Sequence, residues 1–134
     1  MKQLLGEFKE WIVHCGEQAH AGENPAFDRD FLRENAKKVG VPWNVIYRTI
    51  DLHSLCYAHF LQRRLGPPEK NQRTDLKLGT ILAYVGLPEE PSPHHALTGA
   101  TMEGEAFSRL IHGKSLLTEF VQFPIPEYLT HGNP

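Results

Sequence analysis

Apolar side chains recur at helical spacing in five stretches of this chain, and only two short segments between them favour strand. That alternation constrains the fold more than any other feature, because it asks for helices packed on a small parallel sheet. Leu4, Leu5, Phe8, Trp11 and Ile12 share one face of a first helix, whose pattern ends near Cys15-Gly16. A weakly apolar strand is expected over Gln18–Gly22. Asn24-Pro25 then reads as a helix start, with Asn24 accepting a backbone N–H and proline fitting the first turn. Phe27, Phe31, Leu32 and Val39 supply the expected inner face of that helix, and Gly40 ends it. A second strand is expected over Tyr47–Asp51, rich in β-favouring side chains.

The remaining helices are expected from Leu52 to about Gln62, across Leu76–Val85, and across Leu97–Ile111. Between the first two lies a polar loop reaching Thr74. Between the last two, three prolines from Pro88 to Pro93 remove too many backbone donors for a helix. Residues 1–115 therefore read as one domain, and residues 116–134, with Pro124 and Pro126, as an extended tail over its surface. Two strands are too few for a free-standing sheet covered on both faces. An uncovered sheet edge, open to self-association, is the expected consequence.

Composition narrows the setting. No apolar run approaches the ~18 residues of a membrane span. Two cysteines, Cys15 and Cys56, make no disulfide framework, which favours a reducing, cytoplasmic environment. Fourteen basic against sixteen acidic side chains give a net charge of −2, which argues against binding to nucleic acid by bulk charge alone. Locally the balance reverses. Between Gln62 and Lys77, Arg63, Arg64, Lys70, Arg73 and Lys77 face only Glu69 and Asp75, whereas no lysine or arginine occurs from Leu78 to Ser108.

Two segments carry chemistry. The first runs Asn24-Pro25-Ala26-Phe27-Asp28-Arg29-Asp30-Phe31-Leu32; the second runs His94-His95-Ala96-Leu97-Thr98-Gly99-Ala100 and continues through Met102, Glu103 and Glu105. Together they resemble the DEDDh (DnaQ-like) 3′-5′ exonucleases of the ribonuclease H-like superfamily. That family's second motif, N-x-x-F-D-x-x-F-L, is matched at every fixed letter from Asn24 to Leu32. Its third, H-x-A-L-x-D-A, is matched at His94, Ala96, Leu97 and Ala100, with Gly99 where the aspartate stands. The order is right and the two lie about 65 residues apart, which makes the pair more specific than either motif alone.

The resemblance implies an α/β fold of ribonuclease H-like type with a short parallel sheet. Its first strands, and the D-x-E motif they carry, have no counterpart; residues 1–15 read as the helix after the family's first three strands. It also implies a phosphodiesterase using two Mg²⁺ or Mn²⁺ ions on the 3′ end of single-stranded DNA or RNA. Residue by residue, Asp28 takes a metal-ligand role and His94 the general base. Glu103, one turn beyond Gly99 on the same helix face, is the expected replacement carboxylate, while Glu105 is expected to face solvent. Asn24, Phe27, Arg63, Arg64 and Arg73 are the expected nucleic-acid contacts. The alternative is a non-catalytic domain that keeps the fold to bind single-stranded nucleic acid or a protein. His53, Cys56 and His59 have ligand-like spacing, but the two histidines diverge by roughly 120°, which disfavours zinc.

Overall fold

Strand β1 (His20–Gly22) pairs in parallel with β2 (Thr49–Asp51), in the register His20 with Thr49, Ala21 with Ile50 and Gly22 with Asp51. Each is shorter than the β-favouring run around it. The His20 N–H still donates to the Arg48 carbonyl at 3.1 Å, but regular pairing spans three residues. The computed structural model describes residues 1–16, 18–45 and 47–130. It is a helix-rich α/β chain that forms two compact units, 1–51 and 52–134. The division falls at the start of a helix, not at residue 115.

In the first unit, α1 (Lys2–Ile12) places Ile12 against Val45, with Phe8, Cys15 and Trp43 packed around them. The Phe8 and Trp43 rings stack at 6.2 Å. Helix α2 (Pro25–Lys38) is the crossover between β1 and β2. Its inner face departs from the expected one. Pro25 and Ala36 are buried, with Arg29, Leu32 and Val39 half-buried on the same line, a spacing of four, three, four and three residues. Phe27 and Phe31 fall on the other side and are 67% and 54% exposed. Two residues of offset rotate a side chain by about 200°, so a face defined by Pro25 puts Phe27 in water.

The second unit contains α3 (Leu52–Gln62), α4 (Leu78–Tyr84) and α5 (Ala96–His112), packed pairwise. Their shared core holds Leu52, Cys56, Leu76, Ile81, Leu82, Val85, Met102 and Ala106. Burial pushes the Cys56 thiol up to about 12, so it behaves as a small apolar side chain. Where a polar loop was expected, β3 (Glu69–Lys70) and β4 (Arg73–Thr74) form an antiparallel hairpin. Asn71 and Gln72, at φ 52° and 60°, make its two-residue turn, the backbone pattern of a type I′ turn. The sequence lacks the usual glycine there, and the hairpin is legible only in Asn71's tolerance of positive φ.

The C-terminal segment is also a correction. Instead of an extended tail, it makes a 3₁₀ turn, Thr118–Phe120, and a short α6, Glu127–Thr130, and it buries Phe120 and Leu129 in the core. The cause is a buried ion pair on α5. Glu105 and Arg109, one turn apart, are both fully buried, with Nε to Oε1 at 2.8 Å. Arg109 donates onward to the carbonyls of Val85, Gly86, Phe120 and Phe123. Glu105 accepts from the Ser115 hydroxyl and from the Leu116 and Leu117 N–H groups. Glu105 therefore does not face solvent. Burial opposes its ionisation, but these donors outweigh it and hold the carboxyl below its ordinary value.

Candidate functional site

The residues singled out above fall into two groups, one in each unit. In the first unit they gather at the carboxyl ends of the parallel strands, where open α/β sheets place their ligands. The chain leaves β1 at Gly22 and enters α2 through Asn24, which sits in the left-handed region at φ 53°. Asparagine tolerates that conformation. Its side chain caps nothing, contrary to the expected role; its backbone N–H instead donates to Asp51 Oδ1 at 3.2 Å, tying the helix start to the end of β2. Asp28 stands exposed in the first turn of α2. Phe27 and Phe31, their rings 6.5 Å apart, line a shallow depression of about 560 Å³ together with Asn24, Asp30 and Lys38.

His20 lies behind this end of α2, stacked on Phe8 at 6.5 Å, and its Nδ1 is buried without a hydrogen-bond partner among the described residues. Burial lowers its pKa; the Asp28 carboxylate pulls the other way and Arg29 reinforces the fall.

In the second unit, the proline loop after α4 brings Glu90 back against the start of α5. Its carboxylate faces His94, Nδ1 to Oε2 at 3.0 Å, and is 16% exposed, whereas the His94 ring is 76% exposed. A Cβ at Gly99 would lie 3.1 Å from Glu90 Oε1. The carboxylate beside Gly99, the position where the resemblance expects an aspartate, is Glu90, a residue the motif comparison did not single out. Glu103 is half-buried one turn further along α5. The signal is the i, i+4 spacing of Glu90 and His94, but across a proline-containing loop that spacing carries no helical meaning.

The basic candidates separate. Arg63 is committed internally: it donates to the Tyr84 hydroxyl at 3.0 Å and stacks over the Tyr128 ring at 4.0 Å. Arg64 and Arg73 are exposed, the latter on the β3–β4 hairpin beside Lys70. Because Arg63 donates to the Tyr84 oxygen, that hydroxyl is free to donate to His59 Nδ1 at 2.8 Å. Burial, then the neighbouring Arg63 charge, lowers the His59 pKa. The spacing of His53, Cys56 and His59 therefore reports a packed helix. Among the described residues no three histidine, cysteine or acidic side chains stand together as a metal site requires, and no helix is long and apolar enough to cross a membrane.

His20 and His59 together set an expected pH dependence of stability. Both titrate lower when folded than the ordinary 6.5, so the unfolded chain takes up protons first. Their contribution is fully present above pH 6.5 and is lost as pH falls through the folded values. Urea midpoints should drop between about pH 7 and pH 5, and His59→Gln should flatten part of that fall. An unchanged midpoint over the range would contradict the burial of both rings.

No protein-family model, curated protein or solved structure matches this chain.

Proposed function

We propose that this chain belongs to the machinery of a DEDDh-type 3′-5′ exonuclease, with a ribonuclease H-like fold, and acts on the 3′ end of single-stranded DNA or RNA. The observation that carries the reading is the first turn and a half of α2. There Asp28 stands exposed next to Phe27, whose ring stacks with the exposed ring of Phe31 at 6.5 Å, at the carboxyl end of β1. Exposed, mutually stacked rings cost hydration in the free protein and gain it back when bases stack on them. Asn24, Asn35 and Lys38 border the same depression and offer polar and cationic contact to the backbone, on a rim that Asp30 and Glu34 share.

In this reading His94 takes a proton from the attacking water as its oxygen bonds to phosphorus, the bond from phosphorus to the leaving 3′ oxygen breaks, that oxygen takes a proton from solvent, and a nucleoside 5′-monophosphate departs from the shortened strand. The Mg²⁺ or Mn²⁺ ions implied by the resemblance need more carboxylates than the described residues bring together, so no step is assigned to them. Gly99, where the resemblance expects a carboxylate, favours a second reading, a domain that binds single strands without cutting them.

The two readings separate in one assay. A 5′-labelled single-stranded oligonucleotide, incubated with the full chain and Mn²⁺, should shorten stepwise from its 3′ end. His94→Ala should slow this on the order of 10²–10⁴-fold, the usual contribution of a general base. Binding should weaken by about 1–3 kcal/mol in Phe27→Ser. Arg64→Gln and Arg73→Gln should each reduce the salt slope by about one. Tight binding without shortening under any divalent ion establishes the second reading. Sedimentation tests whether the outer edges of the β1–β2 pair drive self-association.

A further inference from the structure

We propose that Glu90 is the positioning residue for His94, holding its ring as the Nδ1–H tautomer so that Nε2 is the basic, outward-facing atom. The inference rests on the exonuclease reading for its catalytic meaning, but its geometry stands alone. A carboxylate oxygen 3.0 Å from Nδ1 repels a lone pair there and attracts a proton, so a neutral His94 facing Glu90 carries its proton on Nδ1. The other ring nitrogen then keeps its lone pair, on a ring 76% exposed. The carboxylate, by contrast, is largely buried. Glu90 is 16% exposed and lies against the bare Cα of Gly99, where any side chain would crowd its Oε1 at 3.1 Å.

The glycine thereby acquires a reason. Position 99 lacks a carboxylate, and the space that one would occupy is taken by Glu90 reaching in from the loop. Orientation of a histidine by an acid on its far nitrogen is worth most where that histidine must accept a proton, because a wrong tautomer presents N–H where a lone pair is needed.

The test reads the tautomer directly. Long-range ¹H–¹⁵N NMR spectra of the full chain, at a pH well above the ordinary histidine range, should show His94 with its proton on Nδ1. Glu90→Ala should return the ring to the Nε2–H form that free histidine prefers. Glu90→Gln keeps the shape beside Gly99, yet its amide can donate as well as accept, so it too should lose the bias. Turnover of the labelled oligonucleotide should fall at least about tenfold in both variants with KM unchanged. Nε2–H in the wild type, or a tautomer indifferent to Glu90→Gln, overturns the proposal even if the wild type degrades the oligonucleotide. A Glu90-dependent Nδ1–H form without any degradation upholds the positioning and removes the exonuclease reading.

Discussion

Arg109→Leu is expected to cost about 3–5 kcal/mol of stability, the range for breaking a buried ion pair by removing one partner. The side chain has no exposed surface and makes five hydrogen bonds, one to Glu105 and four to backbone carbonyls from residues 85 to 123. Removing it leaves a buried carboxylate short of its cation and four carbonyls short of a donor. Glu105→Gln should also be severe, since the amide loses the charge that its donors stabilise. Glu105→Leu combined with Arg109→Leu should recover only part of the loss, because the orphaned carbonyls remain.

An exposed pair provides the contrast. Arg33→Gln, facing Asp30 at 3.3 Å with both side chains about half exposed, should change stability by less than about 1 kcal/mol. Urea unfolding monitored by circular dichroism measures all of these. An Arg109→Leu midpoint equal to that of the wild type would mean that the C-terminal segment is not tied down as described. The same pair predicts acid sensitivity. The folded Glu105 carboxyl titrates below 4.5, so its stabilisation is present above that pH and is lost as pH falls through the lower folded value.

Gly113→Ala is expected to cost about 2 kcal/mol or more, from two separate causes. The residue ends α5 at φ 61°, which strains any L side chain. A Cβ there would also run into the carbonyl oxygen of Leu129, which is backbone and cannot swing away. Gly86→Ala should behave alike, with φ 77° and a Cβ 2.5 Å from the Pro124 carbonyl oxygen. Gly40 isolates the first cause. It has φ 68° but nothing within 4 Å, so Gly40→Ala should cost only the conformational strain, about 1 kcal/mol. Gly104 reverses the sign: it is helical, its Cβ would meet Leu116 at an ordinary 3.8 Å, and Gly104→Ala should stabilise by about 0.5–1 kcal/mol. Thermal midpoints ordered otherwise, with Gly113→Ala milder than Gly40→Ala, would contradict the packing of α6 against the end of α5.

What local sequence determines here is the existence of elements. Leu52, Leu55, Cys56, His59 and Phe60 mark α3 because a helix brings such spacings onto one face whatever surrounds it. Pro88 to Pro93 form a loop because proline lacks the donor a helix needs. The βαβ order around Asn24–Asp51 is legible for the same local reasons.

Which face each helix buries is another matter, because rotation about a helix axis is decided by whatever packs on it. In α2, two phenylalanines looked like the core, yet Pro25 and Ala36 take that place and the rings stand in water. In α5, Glu105 looked like solvent-facing charge. It became the most enclosed acid of the second unit because Arg109, Ser115 and two backbone N–H groups from residues 116 and 117 surround it. Glu90 shows the same limit at the candidate site. Its partner, His94, is near in sequence, but the notch that admits its carboxylate is the missing side chain of Gly99, on a different element. Propensity acts through neighbours along the chain, whereas burial, ion pairing and the fit of a carboxylate against a bare Cα depend on atoms that only folding brings together.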